Sequence, residues 1–171
     1  MDHYDSPGRS HFPLFADIRG KKAVMVGGGP IAARRLKALC GFAFQIRVVA
    51  PAFLPEIEAM AAKGLIALER RPFQPSDVEG AFLVVAATDQ RAVNRQVGRL
   101  AKEAGAFVSV ADCKEESSFY FPGLAFGENL TAAVAGDGNN HPAVKAAAAK
   151  IREVLTTNTE SREDKSHDPQ C

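Results

Sequence analysis

Three consecutive glycines, Gly27-Gly28-Gly29, stand between a short apolar run and a segment whose apolar residues recur at helical spacing. That junction restricts the fold more than anything else in the chain. Lys22 to Val26 reads as a buried strand, and after Pro30 the residues Ile31, Leu36, Leu39 and Cys40 mark one face of a helix that Gly41 would close as a left-handed cap. Gln45 to Val49 then reads as a second strand ending at Ala50-Pro51, which completes one βαβ unit.

The alternation continues. A helix is expected around Leu54 to Lys63 with Gly64 as its stop, then a strand near Leu65 to Glu69 and a strongly apolar strand from Ala81 to Ala87. Thr88 or Asp89 is placed to cap the next helix, whose Val93, Val97, Leu100, Ala101 and Ala104 share a face before Gly105; Ala106 to Val110 is a further strand. Strands alternating with helices imply parallel pairing, so residues 12–113 are expected to form an α/β domain, a Rossmann-type parallel sheet with helices on both faces. Beyond Cys113 the rhythm changes. Ser118 to Phe121 and Leu130 to Ala135 look like short strands around Gly127-Glu128-Asn129, and His141-Pro142 opens a helix carrying Val144, Ala148, Ile151 and Leu155. Residues 114–155 are thus expected to form a small α+β element, too small to bury a core alone and suited to pairing with a second copy in a homodimer. The polar stretch 156–171 reads as a disordered tail.

The turn carries the clearest chemistry. Gly27-Gly28-Gly29-Pro30-Ile31-Ala32 fits G-x-G-x-x-A. Gly27 permits the tight turn, Gly29 lets the main chain approach a pyrophosphate, and Ala32 allows close helix-strand packing, while the helix N-terminus offers unpaired N–H groups to an anion. Lying between strand and helix, the motif has the context that favours a nicotinamide dinucleotide over a merely structural turn. The carboxylate that usually closes the second strand and grips the ribose is replaced by Ala50-Pro51-Ala52, whose main chain would hold the adenosine. No arginine stands at that tip in the sequence, so the residues leave NAD and NADP both open.

Thr88 and Asp89 end the fourth strand on the carboxyl edge, where open α/β sheets bind ligands, although capping a helix is an equal reading. Asp112 ends the next strand on the same edge and is a candidate general base; a plain turn residue is the alternative. His141 is a second acid–base candidate that could instead cap its helix. Asp137 reads as turn chemistry. Arg34, Arg35 and Lys37 read as a solvated face of the first helix, and Lys114 is placed to meet an anionic substrate.

Bulk properties exclude other classes. The net charge of +1 is too balanced for general affinity to nucleic acid or an anionic membrane, and no apolar run reaches a membrane span. Three cysteines, Cys40, Cys113 and Cys171, are expected to be free thiols in a cytoplasmic protein, with no metal bound by the protein.

Taken together, Phe12-Pro13-Leu14-Phe15, Gly20 to Gly29, Ala86-Ala87-Thr88-Asp89, Asn94, Val110-Ala111-Asp112 and Ser118-Phe119 resemble precorrin-2 dehydrogenases, the siroheme synthase N-terminal region, over Phe12 to Leu155. The resemblance implies oxidation of precorrin-2 to sirohydrochlorin with NAD as cofactor, and in some members insertion of ferrous iron. It implies cofactor contacts at the glycine turn, Pro30-Ile31 and Pro51-Ala52, a catalytic role for Asp112, and a dimerisation element after Cys113. The Ala135 to His141 turn departs from the serine-rich turn of many members, and the polar tail stands where members continue with a helical region. Other readings are a nucleotide- or tetrapyrrole-sensing module without turnover, and an NAD-dependent oxidoreductase for another small acid.

Overall fold

The computed structural model describes residues 12–136 and 140–163, the side chains of 157–163 excepted. Five strands form one parallel sheet in the order β3-β2-β1-β4-β5: β1 Lys22–Val26, β2 Gln45–Ala50, β3 Ala67–Arg70, β4 Leu83–Ala86 and β5 Phe107–Val110. Their sequences are continuous apolar runs because the sheet is covered on both faces. Side chains alternate between those faces. Met25, Val48 and Val85 pack with Ala32, Leu36 and Ile57 of helices α1 (Pro30–Leu39) and α2 (Pro55–Ala62). Val24, Val49, Val84 and Val108 pack on the other face with Val97 and Ala101 of α3 (Arg91–Glu103). The central strands β1 and β4 lie side by side, so successive crossovers run outward from them in opposite directions. Such a reversal opens a crevice at the carboxyl ends of the two strands.

Several sequence expectations are corrected. Gly41 does not take a left-handed conformation; α1 ends by tightening, with Gly41 N–H bonding Ala38 O at 3.3 Å and Phe42 N–H bonding Leu39 O at 3.0 Å. Such shortened last turns satisfy the terminal carbonyls without a positive φ. Gly64 and Gly105 do take positive φ, +72° and +74°. Residues 118–121 form no strand. Their place at the free border of β5 is used differently: Ser118 N–H donates to Val108 O, the Ser118 hydroxyl accepts from Val108 N–H at 2.8 Å, and the Ser117 hydroxyl accepts from Val110 N–H at 2.9 Å. Side-chain oxygens thereby replace ladder partners.

The antiparallel hairpin instead joins β6 (Gly123–Phe126) to β7 (Thr131–Val134), and α4 (His141–Glu163) lies against it. Gly123 makes that contact close, since a Cβ there would stand 3.1 Å from Ala148 Cβ. Helix α4 runs through Thr156 to Glu163, where a disordered tail was expected; Thr156-Thr157-Asn158-Thr159 are poor helix formers, and the helix is carried on from its part anchored upstream, because extending a helix costs far less than starting one. The expected tail beyond Glu163, the Asp137 turn residue and Cys171 lie outside the described residues. Phe42 and Phe126, with ring centroids 5.8 Å apart, join the hairpin to the parallel-sheet layer.

Candidate dinucleotide site

The glycine turn occupies the crevice at the reversal point. Gly27 has φ +128°, and a Cβ on it would lie 2.2 Å from the carbonyl oxygen of Ala87 at the end of β4. Only glycine allows both the conformation and the approach. Gly27 N–H bonds Val49 O at 2.9 Å, which fixes the turn to β2 as well. A Cβ on Gly28 would lie 2.0 Å from Ala52 O, and Gly28 O accepts from Leu54 N–H at 3.0 Å, so this glycine is required by the loop after β2. Gly29 is different. It caps α1 in an extended conformation, and no protein atom stands within 4 Å of where its Cβ would be. Nothing else in the protein crowds that position, which leaves open space for a group approaching the main chain from outside. Pro30 sets the first turn, Ala32 is fully buried against the sheet, and Ile31 is exposed at the rim. The turn, the uncommitted space over Gly29 and the helix N-terminus fit a pyrophosphate held by main-chain N–H groups.

At the β2 tip Ala50 is buried while Pro51 and Ala52 are exposed beside the glycine turn. The reading that no arginine stands at this tip is corrected here. Arg70, which ends β3, is the register partner of Ala50, and its guanidinium lies over the Phe53 ring at 5.1 Å from the centroid. Parallel pairing brought it there, and sequence order concealed it.

The loop after β4 is held by a residue that spacing alone did not single out. Asn94 of α3 is fully buried; its Oδ1 accepts from Thr88 N–H at 3.0 Å and from the Thr88 hydroxyl at 2.7 Å, and its Nδ2 donates to Thr88 O at 3.0 Å. A polar residue within an apolar helical stripe was the available signal. Thr88 and Asp89 do not cap α3, whose N-cap is Gln90. Thr88 is drawn back to Asn94, and Asp89 is exposed.

Asp112 follows β5 on the same edge, since Ala111 N–H bonds Ala86 O at 2.8 Å and the two strands end together. Its side chain is 37% exposed, and Arg91 Nη1 donates to its Oδ1 at 3.4 Å. Arg91 also pairs with Glu116, and that hydrogen bond raises the guanidinium pKa above its ordinary value. Arg95 Nε approaches the same Glu116 oxygen at 3.7 Å, while Glu116 Oε2 is buried with no hydrogen-bond partner among the described residues. Arg91 lies 21 residues before Asp112, a separation without any local pattern to reveal the pair. Lys114 is exposed at the start of the 3-10 turn Lys114–Glu116, two residues past Asp112. His141 is exposed at the first position of α4, the helix that lies against the hairpin.

The first helix is not a uniformly solvated charged face. Arg34 is exposed and Lys37 pairs with Glu56 at 2.5 Å, but Arg35 is half-buried, donating to the Ser109 hydroxyl at 3.0 Å with its guanidinium 4.8 Å from the Phe121 centroid. Burial pushes its pKa down, and the neighbouring Arg34 charge adds to the effect.

Comparison with known proteins follows the same outline. Residues 14–123 match the family described as "Putative NAD(P)-binding". The probable multifunctional siroheme biosynthesis protein HemA of Ruminiclostridium josui is 43% identical over 144 residues, 84% of this chain and 28% of that protein. Siroheme synthase 1 of Aeromonas salmonicida is 34% identical over 145 residues, covering 85% of this chain and 31% of that one. The chain therefore spans about three-tenths of the length of these relatives. Among solved structures, SirC, precorrin-2 dehydrogenase, superposes with a TM-score of 0.67 at 28% identity, covering 86% of this chain and 71% of its own.

Proposed function

The chain belongs to the NAD(P)-binding family, and from that premise we propose that it is an NAD-dependent dehydrogenase converting precorrin-2 to sirohydrochlorin in siroheme biosynthesis. The observation that carries this reading is that the Gly27-Gly28-Gly29 turn after β1 and a carboxylate, Asp112, just past β5 stand on the same sheet edge, with β4 between their strands. The main-chain N–H groups of Gly28, Gly29 and Ile31 would hold the pyrophosphate, with Pro30 setting the first turn, and Ala50, Pro51 and Ala52 would line the adenosine end. Thr88 and Asp89, with Asn94 locking the loop, border the nicotinamide end. When bound, NAD supplies the hydride acceptor.

Asp112 takes the proton that leaves the substrate as a hydride departs, so precorrin-2 and NAD⁺ give sirohydrochlorin, NADH and one proton. Arg91 orients Asp112 by donating to Oδ1, and Glu116 shares the charge of that guanidinium. Lys114 meets a carboxylate arm of the tetrapyrrole. The exposed apolar side chains Phe126, Leu130 and Val154 on the hairpin and α4 support pairing with a second copy.

Anaerobic incubation with precorrin-2 and NAD⁺ tests the proposal: NADH and the more conjugated product form together. Asp112→Asn is expected to lower turnover by about 10²- to 10⁴-fold with nucleotide affinity retained. Tight binding of both ligands without NADH formation would overturn the dehydrogenase reading in favour of a sensing module.

A further inference from the structure

We propose that the adenosine end of the site accepts a 2′-phosphorylated dinucleotide as well as NAD, with Arg70 as the residue that contacts the phosphate. The inference rests on the dinucleotide reading above and extends it to cofactor choice. In this fold the usual device against a 2′-phosphate is a carboxylate at the end of the second strand, which binds the ribose hydroxyls and repels the extra charge. Here that strand ends Val49-Ala50-Pro51-Ala52, and no acid occupies the position.

The cation arrives from the adjacent strand. Register sets Arg70 beside Ala50, and its guanidinium lies over the Phe53 ring. Phe53 in turn borders the glycine turn, since its Cα would be 3.1 Å from a Cβ on Gly28. Glycine turn, Phe53 and Arg70 thus form a continuous path along the rim. A guanidinium placed over an aromatic ring gains cation–π attraction and keeps its N–H groups for an oxyanion, which suits phosphate.

Acids around this rim are neutralised by neighbouring cations. Glu56 pairs with Lys37 at 2.5 Å, Glu58 with Arg70 at 2.6 Å, and Glu69 lies 3.9 Å from Arg71. Among the described residues the only side-chain hydrogen bond of Arg70 is from Nη2 to Glu58, which leaves its other guanidinium donors available. Both partners are about half exposed, so water and salt weaken the pair and an incoming phosphate can compete for the same guanidinium. Glu58 therefore tempers the preference for phosphate, and Arg70 creates it.

Equilibrium titration of the full chain with NADH and NADPH, followed by nucleotide fluorescence, tests this without any turnover. The wild-type protein is expected to bind NADPH with a Kd within about tenfold of that for NADH. Arg70→Gln is expected to weaken NADPH about tenfold and leave NADH unchanged, the loss of one charge-assisted contact. Arg70→Lys restores part of the difference, and Glu58→Gln tightens NADPH alone by releasing the guanidinium. Two results overturn the inference while leaving the dinucleotide reading intact: NADPH more than about tenfold weaker than NADH in the wild type, or Arg70→Gln changing both nucleotides equally. Failure of both nucleotides to bind overturns the inference and the dinucleotide reading together.

Discussion

Gly28 and Gly29 are neighbours in sequence, and the structure assigns them opposite reasons for being glycine, which a pair of alanine substitutions separates. In Gly28→Ala the new methyl would stand 2.0 Å from Ala52 O and 3.0 Å from Ala52 C, both main-chain atoms that cannot swing aside. The loop after β2 must move, and the Leu54 N–H bond to Gly28 O moves with it. Overpacking against main chain belongs at the upper end of the usual range, about 3 kcal/mol, or a midpoint lowered by roughly 6–12 °C for a chain of this length. In Gly29→Ala the methyl enters open space from an extended N-cap, where φ is −92°. The cost is the small N-cap preference of glycine over alanine, below about 1 kcal/mol and hence under about 4 °C.

Nucleotide binding is expected to behave the other way. A methyl on Gly29 holds a diphosphate off the main chain and removes at least one N–H bond to a charged oxygen, about 1.5–3 kcal/mol, which is a loss of roughly 10- to 100-fold in affinity. Thermal unfolding and NADH titration on the same two preparations read both quantities. A Gly29→Ala protein that binds NADH as tightly as wild type would refute the assignment of that position to the cofactor, whatever Gly28→Ala does.

Three further outcomes follow from the packing. Asp77 is 2% exposed and is held by both Arg71 nitrogens at 2.7 and 2.8 Å, an interaction that lowers its carboxyl pKa below the usual value near 3.8. Its stabilisation is therefore complete above about pH 4 and is lost as pH falls further through the folded-state value; Asp77→Asn, expected to cost about 2–3 kcal/mol near neutrality, flattens that acid limb in pH-dependent denaturation. Asn94→Ala takes their side-chain partner from the N–H and carbonyl of Thr88, whose hydroxyl keeps its bonds to Gln90, and is expected to cost about 2–3 kcal/mol, a midpoint fall of roughly 4–12 °C by calorimetry; unchanged stability would remove Asn94 as the anchor of that loop. Val154→Glu places a charge on the exposed apolar side of α4 and is expected to convert a dimer to a monomer in sedimentation, and a wild-type monomer at micromolar concentration would end the pairing proposal.

What could be read from the chain was whatever is encoded locally. The run Lys22–Val26, the glycine turn and the stripe Ala32, Leu36, Leu39 declare strand, turn and helix within about twenty residues, because side-chain period and glycine both act over that range. Gly64 and Gly105 were legible as helix stops for the same reason, while the left-handed cap expected at Gly41 does not form. Contacts assembled by strand pairing were not. Arg70 meets the β2 tip only through the β2–β3 register, and Arg91 meets Asp112 only because β4 and β5 end together. The Ser118 to Phe121 stretch has the composition of a strand, yet its first residues serve another strand with hydroxyl oxygens, an arrangement that alternation of apolar residues does not encode. Arg35 was misjudged because its neighbours Ser109 and Phe121 come from the far end of the fold.

The two serine hydroxyls on the outer side of β5 also govern what other chains can do with this protein. A bare strand border invites a foreign segment to add itself, the first step toward runaway polymer growth. Ser117 and Ser118 fill the sites on Val108 and Val110 that such an intruder would claim. Growth from that flank is sealed off, while the opposite flank, β3, ends in the charged pair Glu69 and Arg70, which discourages stacking by cost of desolvation. The sheet is thus finished on both sides by different means, so neither of its flanks is left bare for a foreign strand.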